Sequence, residues 1–468
     1  MPKALLLAIA LLAASVALAA EPARPSIILV VVESLRRDHV GCYGYGRATT
    51  PALDRFAAEG AQFRDAVAAS SWTMPSVMSL FTSQPPALHG VTTAQRSAGA
   101  GIVTLAAELR RAGYQTAGIT ANPMLHGRFG FAQGFDFYDD YTIVFDAGLD
   151  MLEESGLRTA NDRPTGEETT RLALAWLNGK RDPARPFFLF LFYFDPHYDY
   201  LPPAPYDGMF VPAGNRSGQT GAGIYELLHK AVGGEDREKL IGLYDGEIRY
   251  TDEHVGRLLE AVAELGILDA TAVVVTGDHG EEFWEHGSGG HGRTLFDEVV
   301  RVPLLVRYPA RIRAGTKVGA QVSHLDLMPT LLALAGVAVP TQCAGRSLLP
   351  LLEGELATKE DGSALAGRPM FLETEVEGPL QRGARTPTQK IVRFMAQGSA
   401  ALYSLADDPG EQHDLAGTGR AAEFRPLFGQ FDAWLGSLTN RPPAGQKLDT
   451  KSLDPRLLQQ LKSLGYAR

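Results

Sequence analysis

Three apolar runs without internal alternation organise the chain, and each is cut off by polar residues. Ser26–Val32 ends at Glu33-Ser34, residues 187–194 end at Asp195-Pro196-His197, and residues 272–275 end at Gly277-Asp278-His279-Gly280. A strand with one wet face alternates, whereas a strand covered on both faces reads as a continuous run. These are therefore predicted as buried parallel strands. Between and around them, helical spacing predicts helices over residues 51–58, 103–112, 165–179, 235–265 and 325–335, with further strands at 114–120 and 303–306. Residues 122–164 carry Gly, Asp and aromatics without a period and read as loops around a site.

Past Pro340, Gly345, Pro350 and Gly354 the pattern changes. Strands at 390–395 and 401–405 alternate, and a helix is predicted over 421–438, so the C-terminal part reads as a small antiparallel sheet with a helix. The expected fold is α/β: a doubly wound, mostly parallel mixed sheet with helices on both faces, plus a smaller C-terminal α+β domain. The expected divisions are a leader at residues 1–20, a catalytic domain at 25–338, and a C-terminal subdomain and tail at 339–468, with a last helix at 454–463.

In an open parallel sheet, ligands gather beyond the carboxyl ends of strands. Three strand tips bearing acids and histidines are thus expected to meet in one crevice. Glu33, Asp278 and His279 offer two carboxylates and an imidazole, a set that suits one divalent cation (Mn²⁺, Zn²⁺, Mg²⁺ or Ca²⁺) with an open position. Thr73 is expected to fill that position. It stands in Ser71-Trp72-Thr73-Met74-Pro75, and Pro75 is read as the first residue of a helix, which would put the hydroxyl beside unpaired backbone donors. A threonine hydroxyl is a weak nucleophile until a base or a metal activates it, so the two expectations support one another. Taken singly, Thr73 reads equally as a plain N-cap and Asp278-His279 as a turn.

Charge and leader patterning narrow the partners. The net charge of −10 and the lack of a basic stripe exclude a nucleic-acid phosphate binder, leaving small or polymeric ester substrates. Lys3, an apolar run and Ala17-Leu18-Ala19 before Ala20 predict a cleaved secretory signal, hence export to the periplasm or beyond, with no membrane span afterwards. The two cysteines, Cys42 and Cys343, fall in different parts of the pattern and are expected to be free thiols.

The chain resembles the sulfatase family of the alkaline phosphatase superfamily over nearly everything after the leader. The resemblance is carried by Asp38 to Tyr45, Thr50-Pro51-Ala52-Leu53-Asp54-Arg55, the Thr73 helix start, Asp195 to Pro203, Leu243 to Asp252, Asp278-His279-Gly280-Glu281-Glu282-Phe283, His291-Gly292-Arg293 and the Tyr403-Ser404-Leu405 strand. It implies a metal at the strand tips and an ester-cleaving enzyme. The chain departs from it at its site. Thr73 stands where the family carries a Cys or Ser that is oxidised to formylglycine, Val77 replaces the supporting arginine, and Ala121 replaces a lysine that meets sulfate. Glu33-Ser34 also replaces an aspartate pair. The set Glu33, Thr73, Asp278 and His279 resembles the site of phosphoethanolamine and phosphoglycerol transferases, and His291 matches a substrate-side histidine there.

The resemblance therefore implies Thr73 as an unmodified nucleophile, with no formylglycine, and His197 and His291 as catalytic groups near the ester oxygens. Asp195 with these histidines is a further candidate for a second metal; His89 is read as structural, and Glu281, Glu282 and His286 as loop residues. Phosphorus esters are the first expectation. The alternatives are a sulfuric ester hydrolase lacking formylglycine and a catalytically silent fold that binds glycans or envelope polymers.

Overall fold

The computed structural model describes residues 24–142, 164–215, 232–354, 367–439, 441, 443–449 and 453–463. The expected leader at 1–20 and much of the 122–164 loop region lie outside the described residues. Ser26–Val32 (β1), Ala61–Val67 (β2), Gln115–Thr120 (β3), Phe137–Asp139 (β4), Phe187–Tyr193 (β5), Thr271–Gly277 (β6), Arg301–Arg307 (β7) and Thr316–Ser323 (β8) form an eight-stranded sheet. Its order is β8-β2-β7-β6-β1-β5-β3-β4. β7 runs antiparallel to both β2 and β6, and the other pairings are parallel.

The three apolar runs are the three central strands. β1 pairs on one side with β5 (Val32 opposite Tyr193) and on the other with β6 (Val32 opposite Gly277), so all three tips leave the sheet side by side. β5 and β6 are buried along their whole length. Burial on both faces is what their unbroken hydrophobicity requires, because an exposed apolar face would cost about 25 cal/mol for each Å² left in water. Side chains of Pro51–Glu59 (α1), Thr73–Thr82 (α2), Leu105–Arg111 (α3), Gly166–Gly179 (α4), Gly234–Glu264 (α5) and Leu327–Leu334 (α6) join the strands in one core, among them Phe56, Met78, Leu109, Trp176, Leu258 and Leu331.

Met370–Thr374 (β9), Gln381–Arg385 (β10), Gln389–Phe394 (β11) and Ser399–Ser404 (β12) form a separate antiparallel sheet in chain order. One face packs Ala384, Ile391 and Leu402 against Phe424, Leu427 and Phe431 of the Arg425–Leu438 helix (α7) and its lead-in. The other packs Leu372, Val392 and Tyr403 against Val67, Leu295 and Val299 of the larger part. Farther on, Gln446–Lys447 pairs with Arg96–Ser97, and Pro455–Ser463 (α8) buries Leu457 and Leu461 in the main core.

Some expected elements shift. The strand β2, with Gln62, Arg64 and Asp65 in its middle, and β8 were not legible as strands, because neither has a clean period of two. The predicted helices at 325–335 and 421–438 each begin with a 3₁₀ turn, His324–Asp326 and Gly419–Phe424, before the α-helix proper. Cys42 and Cys343 are free, as expected. Among the described residues no helix is long and apolar enough to cross a membrane.

Candidate active site

Glu33 follows β1, Asp278 and His279 follow β6, and Thr73 opens α2; all four are buried, and they meet at one point. Thr73 Oγ1 donates to Glu33 Oε1 at 2.8 Å and lies 3.3 Å from His279 Nε2. The same ring nitrogen lies 3.3 Å from Glu33 Oε1 and 3.4 Å from Asp278 Oδ2. The helix begins two residues earlier than expected: Thr73 itself is the first helical residue, after Trp72, and Pro75 is the third. Proline is tolerated there for the reason given above, since the N–H groups of the first turn have no acceptor within the helix. The hydroxyl thus sits on the helix start itself.

The surroundings hold this start rigidly. His89 Nε2 lies 3.2 Å from the Pro75 carbonyl and 3.0 Å from Ser79 Oγ, while its Nδ1 accepts the Val91 N–H, which confirms the structural reading of His89. Ser76 Oγ donates to the Asp278 carbonyl at 2.5 Å and lies 3.2 Å from His324 Nδ1, whose other nitrogen is 3.2 Å from Thr276 Oγ1 on β6. His324 was invisible to sequence reasoning, since its use depends on two strands and a helix meeting.

Ser34 takes a left-handed backbone conformation, with φ of 50°, and turns its N–H onto Asp278 Oδ1 at 2.9 Å. Asp278 Oδ1 also accepts the His279 N–H at 2.8 Å, whereas its Oδ2 has no hydrogen-bond partner although it is buried. Burial and the Glu33 charge push the Asp278 carboxyl up to about 7. For His279, burial lowers the pKa, but Asp278 and Glu33 overcome it and raise the ring to about 9. Both shifts say the same thing: two buried carboxylates require a positive charge between them.

That requirement is the test of fit for a cation. Ligand atoms at about 2.1 Å from one metal in a tetrahedral arrangement stand about 3.4 Å apart, which matches the 3.3 and 3.4 Å separations around His279 Nε2. The unpartnered Asp278 Oδ2 and hard carboxylate oxygens complete the case. Glu33, His279 and His291 also form a possible metal site, each offering a ligand atom within 4.8 Å of the others. The donors present fit a divalent cation.

His197 and His291 do come to the same place. Their rings are 5.3 Å apart, and the His291 ring is 4.4 Å from that of His279. His197 Nδ1 faces the Tyr198 carbonyl, and burial with the neighbouring His291 lowers its pKa well below the usual value. Asp195 does not join them. Its Oδ2 accepts the Thr165 N–H, the Thr165 hydroxyl and the Gly166 N–H at 2.9 to 3.0 Å, so it caps α4 and is turned away from a second-metal role. Glu282 is held by Ser288 and Thr294, and His286 by Glu298, both away from Thr73.

Two residues that the sequence reading passed over belong to the site. Asn122, at the tip of β3, donates from Nδ2 to Glu33 Oε2 at 2.6 Å. Glu281, read as a loop residue, is fully buried and lies 3.0 Å from His291 Nδ1. The strand-tip rule that found Glu33 would also have found Asn122, had β3 been weighed with the three longer runs.

With this geometry in place, comparison is direct. The sulfatase family profile matches residues 25–337, and that of the N-sulphoglucosamine sulphohydrolase C-terminal region matches 285–429. The chain belongs to the sulfatase family. This sulfatase-family chain is 26% identical over 480 residues to N-acetylglucosamine-6-O-sulfatase of Bacteroides thetaiotaomicron, spanning 86% of this chain and 84% of that protein. A solved structure bound to its substrate D-glucosamine-2-N,6-O-disulfate has a TM-score of 0.74 at 23% identity, covering 90% of this chain and 99% of that one. The phosphonate monoester hydrolase of Agrobacterium radiobacter shares the fold with a TM-score of 0.71 at 22% identity, covering 91% and 97%. Sulfatase-family enzymes are metal-dependent, and this member is an enzyme acting on ester bonds.

Proposed function

We propose that the chain is an exported, metal-dependent hydrolase of sulfuric esters that works without formylglycine, using Thr73 as its nucleophile. The order of preference read from the sequence is reversed here: the relatives are named for sulfate esters, and family descent weighs more than the missing lysine at Ala121. Export rests on the leader pattern of residues 1–20. The observation that carries the reading is the Thr73 hydroxyl, buried on the helix start and hydrogen-bonded to Glu33 at 2.8 Å.

Glu33, Asp278 and His279 would hold the cation, with Thr73 Oγ1 and His291 beside it; when bound, it supplies Lewis-acid polarisation of the ester and a lower hydroxyl pKa. The rest is done by side chains. Thr73 Oγ1 gives its proton to Glu33 and attacks sulfur, the bond from sulfur to the alcohol oxygen breaks, and that oxygen leaves with a proton. Solvent water supplies it, because burial and His291 keep His197, beyond the end of β5, neutral with Nδ1 turned to the Tyr198 carbonyl; its Nε2 then serves as base for the water of the next step. Water then cleaves the threonine ester, restoring the hydroxyl and releasing the oxoanion. The N–H groups at the start of α2 face the charge that develops on the equatorial oxygens.

A second reading has its own observation. A sulfated threonine must be cleared by attack at sulfur, because it cannot collapse to an aldehyde as a formylglycine hydrate does, whereas a phosphorylated threonine is open to water or an acceptor alcohol. Thr73 itself therefore favours phosphodiesters, phosphonate monoesters or phosphate monoesters. The test is a panel of nitrophenyl sulfates and phosphorus esters with Mn²⁺, Zn²⁺, Mg²⁺ or Ca²⁺. Sulfate turnover above every phosphorus ester, lost in Thr73→Ala, supports the proposal; a phosphorus ester turned over faster, with the same loss, overturns it in favour of the second reading.

A further inference from the structure

We propose that Glu281 is a positioning residue that fixes His291 with its proton on Nδ1, so that Nε2 presents a lone pair to a cation and not a hydrogen bond to the anionic ester. The tautomer is a property of the protein alone; the lone pair's target rests on the metal-dependent reading above. This assigns His291 to the ligand set, beside Glu33 and His279, and removes it from the substrate side where sequence resemblance placed it.

Glu281 has two oxygens to fill. Both carboxylate oxygens are engaged: Oε2 accepts the Tyr200 hydroxyl at 3.0 Å, and Oε1 faces His291 Nδ1 at 3.0 Å. Glu281 is anchored from behind as well, since Arg36 Nη1 donates to its backbone carbonyl at 3.0 Å. With the Tyr200 hydroxyl donating to Oε2, Oε1 is the acceptor left facing the ring; a proton on Nδ1 fills it, whereas a proton on Nε2 would be buried without an acceptor. The side chains of both residues are buried, at 1% and 0% exposure, which excludes water as a competing partner for the ring. Ser34 Oγ, 3.5 Å from the same nitrogen, is the other polar atom near it.

The far nitrogen then decides the role. His291 Nε2 is buried without a hydrogen-bond partner, and the ring stands 4.4 Å from His279. A ring nitrogen of His291 falls within 4.8 Å of a Glu33 oxygen and a His279 nitrogen. An unprotonated nitrogen repels the oxygens of a sulfate or phosphate and attracts a metal. A carboxylate behind a metal-bound imidazole is the common device for fixing the tautomer and strengthening the ligand, and its loss costs roughly ten- to a hundred-fold in affinity. Glu281 follows Asp278-His279-Gly280 directly, so one turn delivers two ligands and the group that orients a third.

The experiment uses the full exported chain stripped with chelator, with ¹⁵N-labelled histidine and with His291→Asn to assign the signal. Wild type is expected to show His291 as the neutral Nδ1–H form at pH 7, and Glu281→Ala to lose that form. In parallel, Zn²⁺ and Mn²⁺ affinities are measured by calorimetry. Glu281→Ala and His291→Ala should each weaken the cation about ten- to a hundred-fold, Glu281→Gln should recover part of the loss because its carbonyl still accepts, and Tyr200→Phe should lie between Glu281→Gln and wild type. A wild-type signal from the Nε2–H form or from imidazolium overturns the positioning role. Unchanged metal affinity in His291→Ala overturns the ligand role, and neither result depends on whether the ester is sulfuric or phosphoric.

Discussion

Asn122 holds Glu33 from the side opposite Thr73. Its Nδ2 donates to Glu33 Oε2 at 2.6 Å while its Oδ1 accepts the Met124 N–H at 2.7 Å, so the amide is oriented from both ends. Glu33 Oε1 is thereby left to face Thr73 and His279. Asn122→Ala is expected to lower metal affinity and turnover by about ten- to a hundred-fold, with a melting temperature close to wild type. Asn122→Asp should be worse than Ala, because it sets a second carboxylate against Glu33. An Ala variant with wild-type metal affinity and turnover would remove Asn122 from the site.

Metal content gives the next prediction. Asp278 has one oxygen fixed by two backbone N–H groups and the other buried without a partner. Asp278→Asn keeps the shape and removes the charge, so purified protein should carry about one divalent cation in wild type and much less in the variant. Elemental analysis of the two decides it. Equal metal in both would place the cation elsewhere.

The hydroxyl of Thr73 should be unmodified. Mass spectrometry of the peptide spanning Trp72, Thr73 and Met74 is expected to give the encoded mass, and Thr73→Ala to lower turnover by a factor on the order of a thousand or more. Thr73→Ser should keep part of the activity. Turnover in Thr73→Ala close to wild type would make Thr73 a bystander and a metal-side water the nucleophile.

How far the sequence carried the fold follows from what each element's residues had to satisfy. β1, β5 and β6 are buried on both faces, so nothing polar interrupts them, and their tips stand out as Glu33, Asp195 to His197, and Asp278-His279. β2 was hidden because Arg64 is exposed and Gln62 and Asp65 serve neighbours: Gln62 donates to the Cys42 carbonyl, and Asp65 pairs with Arg301 and Arg385. Within the site, Glu33, Thr73, Asp278 and His279 could be read because they end long apolar runs or open a helix. Glu281 could not, since it acts by holding another side chain and a supporting role leaves no spacing; Asn122 was missed because the strand before it, β3, is short and not continuously apolar. Asp195 misled for a related reason: a strand-tip acid beside a histidine looks like a ligand until Thr165 and Gly166, thirty residues away in the chain, take its oxygen.

The last prediction concerns the join between the two sheets. Arg385 on β10 is almost fully buried and makes a paired contact to Asp297, Nε to Oδ1 at 2.9 Å and Nη2 to Oδ2 at 2.8 Å, while Nη1 reaches Asp65 on β2 at 3.0 Å. Lys390 on β11 adds a 2.6 Å contact to Asp297 and a 2.8 Å contact to Glu411. Removing one member of a buried pair leaves the others uncompensated, so Arg385→Met should destabilise the protein by about 3–5 kcal/mol. The network also sets a pH dependence. Burial alone would raise Asp297, but Arg385 and Lys390 outweigh it and hold the carboxyl well below its ordinary value of 3.8. A depressed folded pKa means the stabilisation is complete above that value and is lost as the pH falls through the lower folded value. Glu411 has the opposite sign: burial raises it from 4.5 to about 7, so its contribution is lost as the pH rises through that interval. Thermal unfolding from pH 8 to pH 2 should therefore show Asp297→Asn far below wild type at neutral pH with the gap closing in acid, and Glu411→Gln flattening the neutral side. Parallel curves for Asp297→Asn and wild type across the whole range would show that this carboxylate does not tie the sheets together.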